Sequence, residues 1–138
     1  MTRDEELDEQ LEKYTLNPEL IYAAEIREII HREIANENRE DNEILKLSCM
    51  QLFSIGQVED SLLIWRAKQS NFDAACYLDI QFLCGAGLDE TKNFLSEQNT
   101  SEAKEALSYL IECEKSGDFE DFSAASQISE YQRYFQVS

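Results

Sequence analysis

The sequence predicts an all-α fold, a short α-solenoid of stacked antiparallel helix pairs, on three observations. The 138 residues include only one Pro and four Gly, too few for an all-β or loop-rich protein. Apolar residues recur at i, i+4 and i+7, the spacing of one helix face. A glycine followed by acidic residues returns about every 30 residues, and fixed periods of this length are typical of repeat proteins.

The first 40 residues predict two helices that cap the stack. Asp4–Tyr14 is a highly charged segment with a thin apolar stripe, as in a short surface helix. In the following "LNPEL", Asn17 is a suitable N-cap and Pro18 suits the first helical position. A second helix is therefore predicted over residues 18–36.

Three glycines, Gly56, Gly87 and Gly117, mark a repeat with spacings of 31 and 30 residues. Eleven, seven and four residues before each glycine, every residue is apolar or small, which predicts one face of a helix. The nine residues are Leu45, Cys49, Leu52, Cys76, Ile80, Leu83, Ala106, Leu110 and Cys113. Each glycine stands where a helix end favours a residue that tolerates left-handed backbone angles.

A second, shorter helix is predicted after each glycine, with carboxylates in its first turn complementing the positive helix N-terminus. These residues are Glu59, Asp60, Asp89, Glu90, Glu120 and Asp121. Stacking would align them along one edge as an acidic docking strip. The prediction is one domain over 1–138, with capping helices in 1–40, about three helix pairs in 41–125 and a C-terminal helix in 126–138.

The formal net charge of −17 is spread along the chain, and after Lys68 there are 13 acids and four bases. Such a surface repels nucleic acid and anionic lipid, so neither is expected as a partner. It would attract a basic protein, although solubility alone is an alternative reason for the acidity. The chain shows no secretory h-region and no membrane-span-length apolar run, so a cytoplasmic location with reduced, buried thiols is expected.

No motif predicts an enzyme. The "CGAGLDET" segment lacks the spacing and the Lys of a phosphate-binding loop, and a GxSxG elbow is absent. The single histidine, His31, has Arg27 and Ala35 four residues away on its helix, not an orienting carboxylate. No cofactor and no metal are predicted, since the acid pairs are explained by helix starts, although paired glycosidase carboxylates stay open.

Three further residues are candidates for partner contact. Trp65 continues an apolar face, which favours core packing, but Arg66 follows it, and a Trp beside Arg is also typical of an interface anchor. Asp73 and Asp79 lie among small and apolar residues of the second unit. A solvated face is the simpler interpretation of both, and a charged interface is the alternative.

The stretch "LFSIGQVEDSLLIWRAK" resembles HEAT-like helical repeats, in which an apolar helix ends at "LG", an acidic turn follows and an apolar second helix begins. The matching residues are Leu52, Gly56, Glu59, Asp60, Leu62, Leu63, Ile64 and Ala67. The resemblance covers about residues 41–125 and weakens in the third unit. The segment "FDAACYLDIQFLCGAGLDETKNFL" is also similar to segments of small bacterial helical proteins.

Small acidic helical proteins of this kind are often immunity proteins, so the resemblance implies a bacterial protein that neutralises a basic toxin, possibly a nuclease, by covering it. We expect it to act as a monomer or weak homodimer. An adaptor or scaffold role with the same surface is the alternative. A cofactor lyase, which some HEAT-like proteins are, is a third, with Cys84 as its reactive residue.

Overall fold

The computed structural model describes residues 1–135. Eight α-helices follow one another: α1 (Arg3–Tyr14), α2 (Ala23–Ala35), α3 (Glu43–Ile55), α4 (Ser61–Lys68), α5 (Phe72–Tyr77), α6 (Leu88–Glu97), α7 (Ser101–Lys115) and α8 (Ala124–Tyr134). Three short 3₁₀ turns lie between them, at Leu20–Tyr22, Val58–Asp60 and Ile80–Cys84. No strand occurs within the described range, and the all-α class is confirmed.

Helix α3 is the centre of the molecule. Every residue from Ile44 to Phe53 is buried, because this helix is apolar on nearly all sides and must be covered on all of them. It contacts α1, α2, α8 and the 3₁₀ turn at Ile80–Cys84. Its buried Ser48 and Gln51 bond the side-chain amide of Gln10 at 2.8 and 2.9 Å, which joins α1 to α3.

The last helix returns to this centre. The ring of Tyr131 in α8 lies 5.6 Å from that of Phe53 in α3 and 5.0 Å from that of Phe82. In an open α-solenoid each unit contacts only its neighbours. Contact between α8 and α3 therefore makes the packing more closed than the predicted stack.

The three recurrent glycines all have positive φ, at +81° for Gly56, +105° for Gly87 and +93° for Gly117. The Gly56 amide donates to the Leu52 carbonyl at 3.0 Å and ends α3 in a left-handed conformation, as predicted. Gly117 lies one residue beyond Ser116, the C-cap of α7, and its amide donates to the Glu114 carbonyl at 3.2 Å. Gly87 differs, because it precedes α6 directly and follows a 3₁₀ turn rather than an α-helix.

The second capping helix starts later than predicted. Residues 18–36 were expected to be helical from Pro18 with Asn17 as N-cap, and this is wrong, since α2 begins at Ala23. Leu16 and Pro18 are both buried, and Glu19 is extended with ψ of 151°. Anchoring these two side chains in the core keeps the backbone extended before the helix can begin.

The first helix of the second unit is interrupted, which the sequence pattern did not predict. Helix α5 ends at Tyr77, and the buried Leu78 is extended. The Lys68 ammonium, itself buried, donates to the carbonyls of Ala75 and Leu78 at 2.5 and 2.6 Å. Lys68 thereby satisfies carbonyls that a continuing helix would have bonded.

The third unit also differs from its prediction. Residues 116–121 form turns and residues 122–123 are irregular, where the start of a helix was predicted. Ser123 caps α8 by accepting from the Ser126 amide at 3.1 Å. The predicted C-terminal helix over 126–138 therefore corresponds to α8, which begins earlier and ends at Tyr134. Residues 136–138 of that prediction lie outside the described residues.

Candidate functional site

The acidic turns lie at three connections on the surface. Glu59 is exposed in the 3₁₀ turn before α4, and Asp89 and Glu90 are exposed in the first turn of α6. Glu120 and Asp121 are exposed too, but they precede α8 instead of starting it, so their predicted helix-start position is wrong. Asp121 has a φ of +57°.

Two contacts connect these turns in space. The turn at Val58–Asp60 contacts α6, whose first residues carry Asp89 and Glu90. These two acids in turn share a shallow cleft of about 380 Å³ with the Phe119–Ala124 segment that contains the third acid pair. The cleft is lined by Gly87, Leu88, Asp89, Glu90, Phe119, Phe122, Ser123 and Ala124.

Asp60 is the exception among the acidic turns. Its side chain is only 5% exposed, and the Arg27 guanidinium of α2 binds both of its carboxylate oxygens, at 2.7 and 3.2 Å. This hydrogen bond and the nearby negative charge raise the pKa of Arg27 above its usual value. Asp60 is therefore an internal structural group, which corrects its predicted place on a docking strip.

Trp65 is buried as well, with 4% of its surface exposed. Its ring lies 5.5 Å from that of Tyr109 in α7, so it joins α4 to α7. A side chain in this position packs the core and cannot act as an exposed interface anchor without unfolding.

Asp73 and Asp79 are exposed but belong to different clefts. Asp73 lies in α5, whereas Asp79 follows the break after Leu78 and is not helical. Asp79 lines a cleft of about 420 Å³ together with the buried Lys68 and the half-exposed Tyr109. The exposure of both acids agrees with the solvated interpretation, but the helical position predicted for Asp79 is wrong.

A cleft that sequence reasoning missed lies between the α2–α3 connection and α5, and is called the α5 cleft here. It measures about 460 Å³ and is lined by Glu40, Asp41, Asn42, Glu43, Asp73, Cys76 and Tyr77. The repeat pattern placed Cys76 on the buried stripe, but the break after Tyr77 buries Ala74 and Leu78 instead and leaves Cys76 exposed. The polar segment "NENREDNE" (residues 36–43) did not predict this cleft, because it has no apolar residue whose spacing would show where the segment packs.

One end of the α5 cleft is fixed by a polar network. The Arg39 guanidinium donates to Ser70 Oγ at 2.6 Å and to Asn42 Oδ1 at 2.8 Å. The Asn42 amide donates to Asn71 Oδ1 at 3.4 Å, and the same oxygen caps α5 by accepting from the Ala74 amide at 2.7 Å. The α2–α3 connection is thus bonded directly to the start of α5.

The other end is fixed by an aromatic cluster. The Tyr77 hydroxyl donates to the Glu43 carboxylate, and Lys46 Nζ lies 4.0 Å from the ring centroids of both Tyr77 and Tyr134. Burial lowers the pKa of Lys46 and raises that of Tyr77. A lysine held between two aromatic faces is stabilised by cation–π attraction.

Most of the basic side chains have an intramolecular partner. All charged residues lie within the described range, and nine of the 12 bases form an ion pair, a hydrogen bond to a carbonyl or a contact with an aromatic ring. Six form ion pairs: Arg3, Lys13, Arg27, Arg32, Arg66 and Lys92. Arg39, Lys46 and Lys68 bind carbonyls or aromatic rings instead.

The carboxylates are left in large excess by this arrangement. Only seven of the 29 are in ion pairs, which leaves 22 without one in the described residues. The three bases with no such engagement, Lys104, Lys115 and Arg133, are exposed. The charged side chains that have no ion pair are therefore mostly carboxylates.

The four cysteines are unpaired but not equally buried, which corrects the expectation that all are inside. Cys49 and Cys84 are buried, Cys113 is half-buried and Cys76 is exposed. Burial raises the pKa of Cys84 to about 12, so almost none of it is thiolate at neutral pH. This environment suits a structural thiol better than the nucleophile of a lyase.

Within residues 1–135, no three His, Cys, Asp or Glu side chains converge as metal ligands would. His31 is exposed on α2. None of the helices described is both long enough and apolar enough to cross a membrane. Comparison of the chain with protein-family models, curated proteins and solved structures finds no match.

Proposed function

We propose that this protein is a non-enzymatic protein-binding module whose acidic surface docks a basic partner. The observation that carries the proposal is the engagement of nine of the 12 bases by internal partners, which leaves 22 carboxylates without an ion pair. Exposed charges of one sign raise the rate of encounter with an oppositely charged protein. They also repel nucleic acid, which argues for a protein as the ligand.

The concrete form of the proposal is a bacterial cytoplasmic immunity protein that neutralises a basic toxin domain by occlusion. A nuclease toxin fits this chemistry, because its active site must attract phosphates with Lys and Arg. Carboxylates on the docking surface would pair with those cations and cover the site. HEAT-like stacking of the helix pairs is part of the same proposal, and the left-handed Gly56 that ends α3 at the first repeat turn supports it.

The test uses as its probe the product of the gene directly upstream, which the immunity role predicts to be a large toxin with a basic domain. We expect the association rate to fall at least about tenfold as NaCl rises from about 50 to about 500 mM, since exposed charges are screened over this range. Co-expression should also restore growth to cells that produce that protein. Association that does not respond to ionic strength would overturn the electrostatic mechanism, and growth that stays inhibited would overturn the immunity role.

The acidic turns can be tested against a matched control with the same change in net charge. The test variant combines Glu59→Gln, Asp89→Asn and Glu120→Gln. The control combines Glu9→Gln, Asp8→Asn and Glu12→Gln, three exposed acids of α1. A larger loss of association rate in the first variant assigns docking to the acidic turns, whereas equal losses place docking outside these turns.

A further inference from the structure

Among the large apolar side chains of residues 1–135, Phe72 is the most solvent-exposed after the terminal Met1. It exposes 81% of its surface, whereas the other described phenylalanines are buried or half-buried. Phe72 is the first residue of α5 and lies one helical turn before Cys76, which is also exposed. The helix buries its opposite side through Ala74, so Phe72 and Cys76 form an outer face that no other element of the described chain covers.

The surroundings of this face are negative. Glu40, Asp41, Glu43 and Asp73 line the adjacent α5 cleft, and no Lys or Arg lines it. Arg3 forms an ion pair with Asp41, with Nη2 and Oδ1 3.2 Å apart, and the Tyr77 hydroxyl donates a hydrogen bond to the Glu43 carboxylate. Within the described part of the chain, the carboxylates of Glu40 and Asp73 are exposed and form no ion pair. An apolar ring is thus placed beside uncompensated negative charge.

The walls of the cleft are already ordered by the network of Arg39, Asn42, Ser70 and Asn71. A docking face fixed before binding loses less conformational entropy when the partner arrives. Aromatic side chains near the centre of a contact contribute much of its binding energy, and surrounding charges fix orientation and partner choice.

We propose that Phe72 and the α5 cleft are the docking face for a basic segment of a partner protein that carries an apolar residue. The apolar residue packs on the Phe72 ring, and flanking Lys or Arg side chains pair with Glu40 and Asp73. This inference rests on the proposed function, of which it specifies the site. A second copy of this chain is disfavoured as the occupant, because two molecules of net charge −17 repel each other.

The test measures the fluorescence anisotropy of two labelled Lys/Arg peptides, one with a single central Leu and one with Ser at that position. The wild-type protein should bind the Leu peptide about five- to tenfold more tightly than the Ser peptide. Phe72→Ala should remove this preference and leave Ser-peptide binding unchanged. Asp73→Asn should weaken both peptides by the same factor.

Ile21→Ala is the matched control, since Ile21 is 73% exposed on the turn before α2, away from α5 in the chain. It should leave both affinities unchanged. If the wild type binds the two peptides equally, or if the preference for the Leu peptide survives Phe72→Ala, the assignment of docking to Phe72 and the α5 cleft is wrong. The proposed function is not affected by that result. If neither peptide binds, or if their binding does not respond to ionic strength, both the α5 docking face and the proposed function are overturned. A wild-type dimer in sedimentation that Phe72→Ala converts to monomer assigns the face to a second copy instead.

Discussion

Arg27 and Asp60 form a bidentate ion pair that joins α2 to the turn before α4, with Nε–Oδ1 at 2.7 Å and Nη2–Oδ2 at 3.2 Å. The carboxylate is almost fully buried while its neighbour Glu59 is exposed. Two adjacent acids that look equivalent in the sequence therefore have different roles, one in stability and one on the surface.

Asp60→Ala should lower the free energy of unfolding by about 2–3 kcal/mol, because it leaves the Arg27 guanidinium without its charged partner. Glu59→Ala is the control and should change stability by less than about 0.5 kcal/mol. Urea titration of both variants measures the difference. Equal effects of the two substitutions would show that Asp60 is not a structural acid.

Gly85→Ala should be more destabilising than a substitution at a glycine with positive φ. A Cβ at Gly85 would lie 2.4 Å from the Phe53 carbonyl oxygen, so the turn at Ile80–Cys84 would have to move away from α3. We expect a cost of about 3 kcal/mol or more, the range of severe overpacking.

Gly117→Ala is the comparison for Gly85→Ala. Its φ is +93°, but a Cβ there meets only the flexible Glu120 side chain at 3.6 Å. We expect a cost of about 1 kcal/mol from the backbone conformation alone. Thermal unfolding of the two variants should rank Gly85→Ala as the less stable, and the reverse order would contradict the close approach of the turn to α3.

Tyr131→Phe should stabilise the protein by about 1 kcal/mol. The Tyr131 hydroxyl is buried and has no hydrogen-bond partner among residues 1–135, so removing it relieves an unpaired polar group. Tyr131→Ala should instead cost about 3–5 kcal/mol, since the ring packs on Phe53 and Phe82. Chemical denaturation measures both, and a loss of stability in Tyr131→Phe would reveal a partner for that hydroxyl.

Alkaline pH should destabilise the protein through Cys84. Burial raises its folded-state pKa to about 12 from an ordinary value of 9.0, so the folded state holds the proton more tightly than the unfolded chain. This contribution is fully present below about pH 9 and is lost as pH rises toward about 12. One such thiol accounts for at most about 1.4 kcal/mol per pH unit.

The measurement for Cys84 is the slope of unfolding free energy against pH between about 8 and about 10. Cys84→Ala should have a shallower slope than the wild type, whatever its absolute stability. Cys76→Ala, which removes the exposed thiol, should keep the wild-type slope. Identical slopes in all three proteins would mean that the Cys84 environment does not favour the protonated thiol.

Thiol labelling of the native protein separates a structural Cys84 from a reactive one. Cys76 should react first, and Cys84 should react only as fast as the protein unfolds, because it is buried and protonated. Mass spectrometry of labelled peptides identifies each site. Rapid native labelling of Cys84 would revive the lyase alternative.

The sequence by itself determined the helical class, the positive φ of the recurrent glycines and the dominance of acids. These follow from local chemistry: scarce Pro and Gly, apolar spacing that matches the helix period, and glycine where L side chains are strained. The same spacing predicted only one apolar face for the α3 segment, whereas the structure buries this helix on nearly all sides.

Only the tertiary structure decided which polar residues face inward and which apolar ones face outward. Asp60 is buried because Arg27 arrives from another helix, and α5 ends at Tyr77 because the Lys68 ammonium reaches its carbonyls. The exposure of Phe72 follows from that break, since a continuous helix would have kept its stripe against the core. Such outcomes depend on groups distant in the sequence, so no local pattern of apolar spacing or charge encodes them.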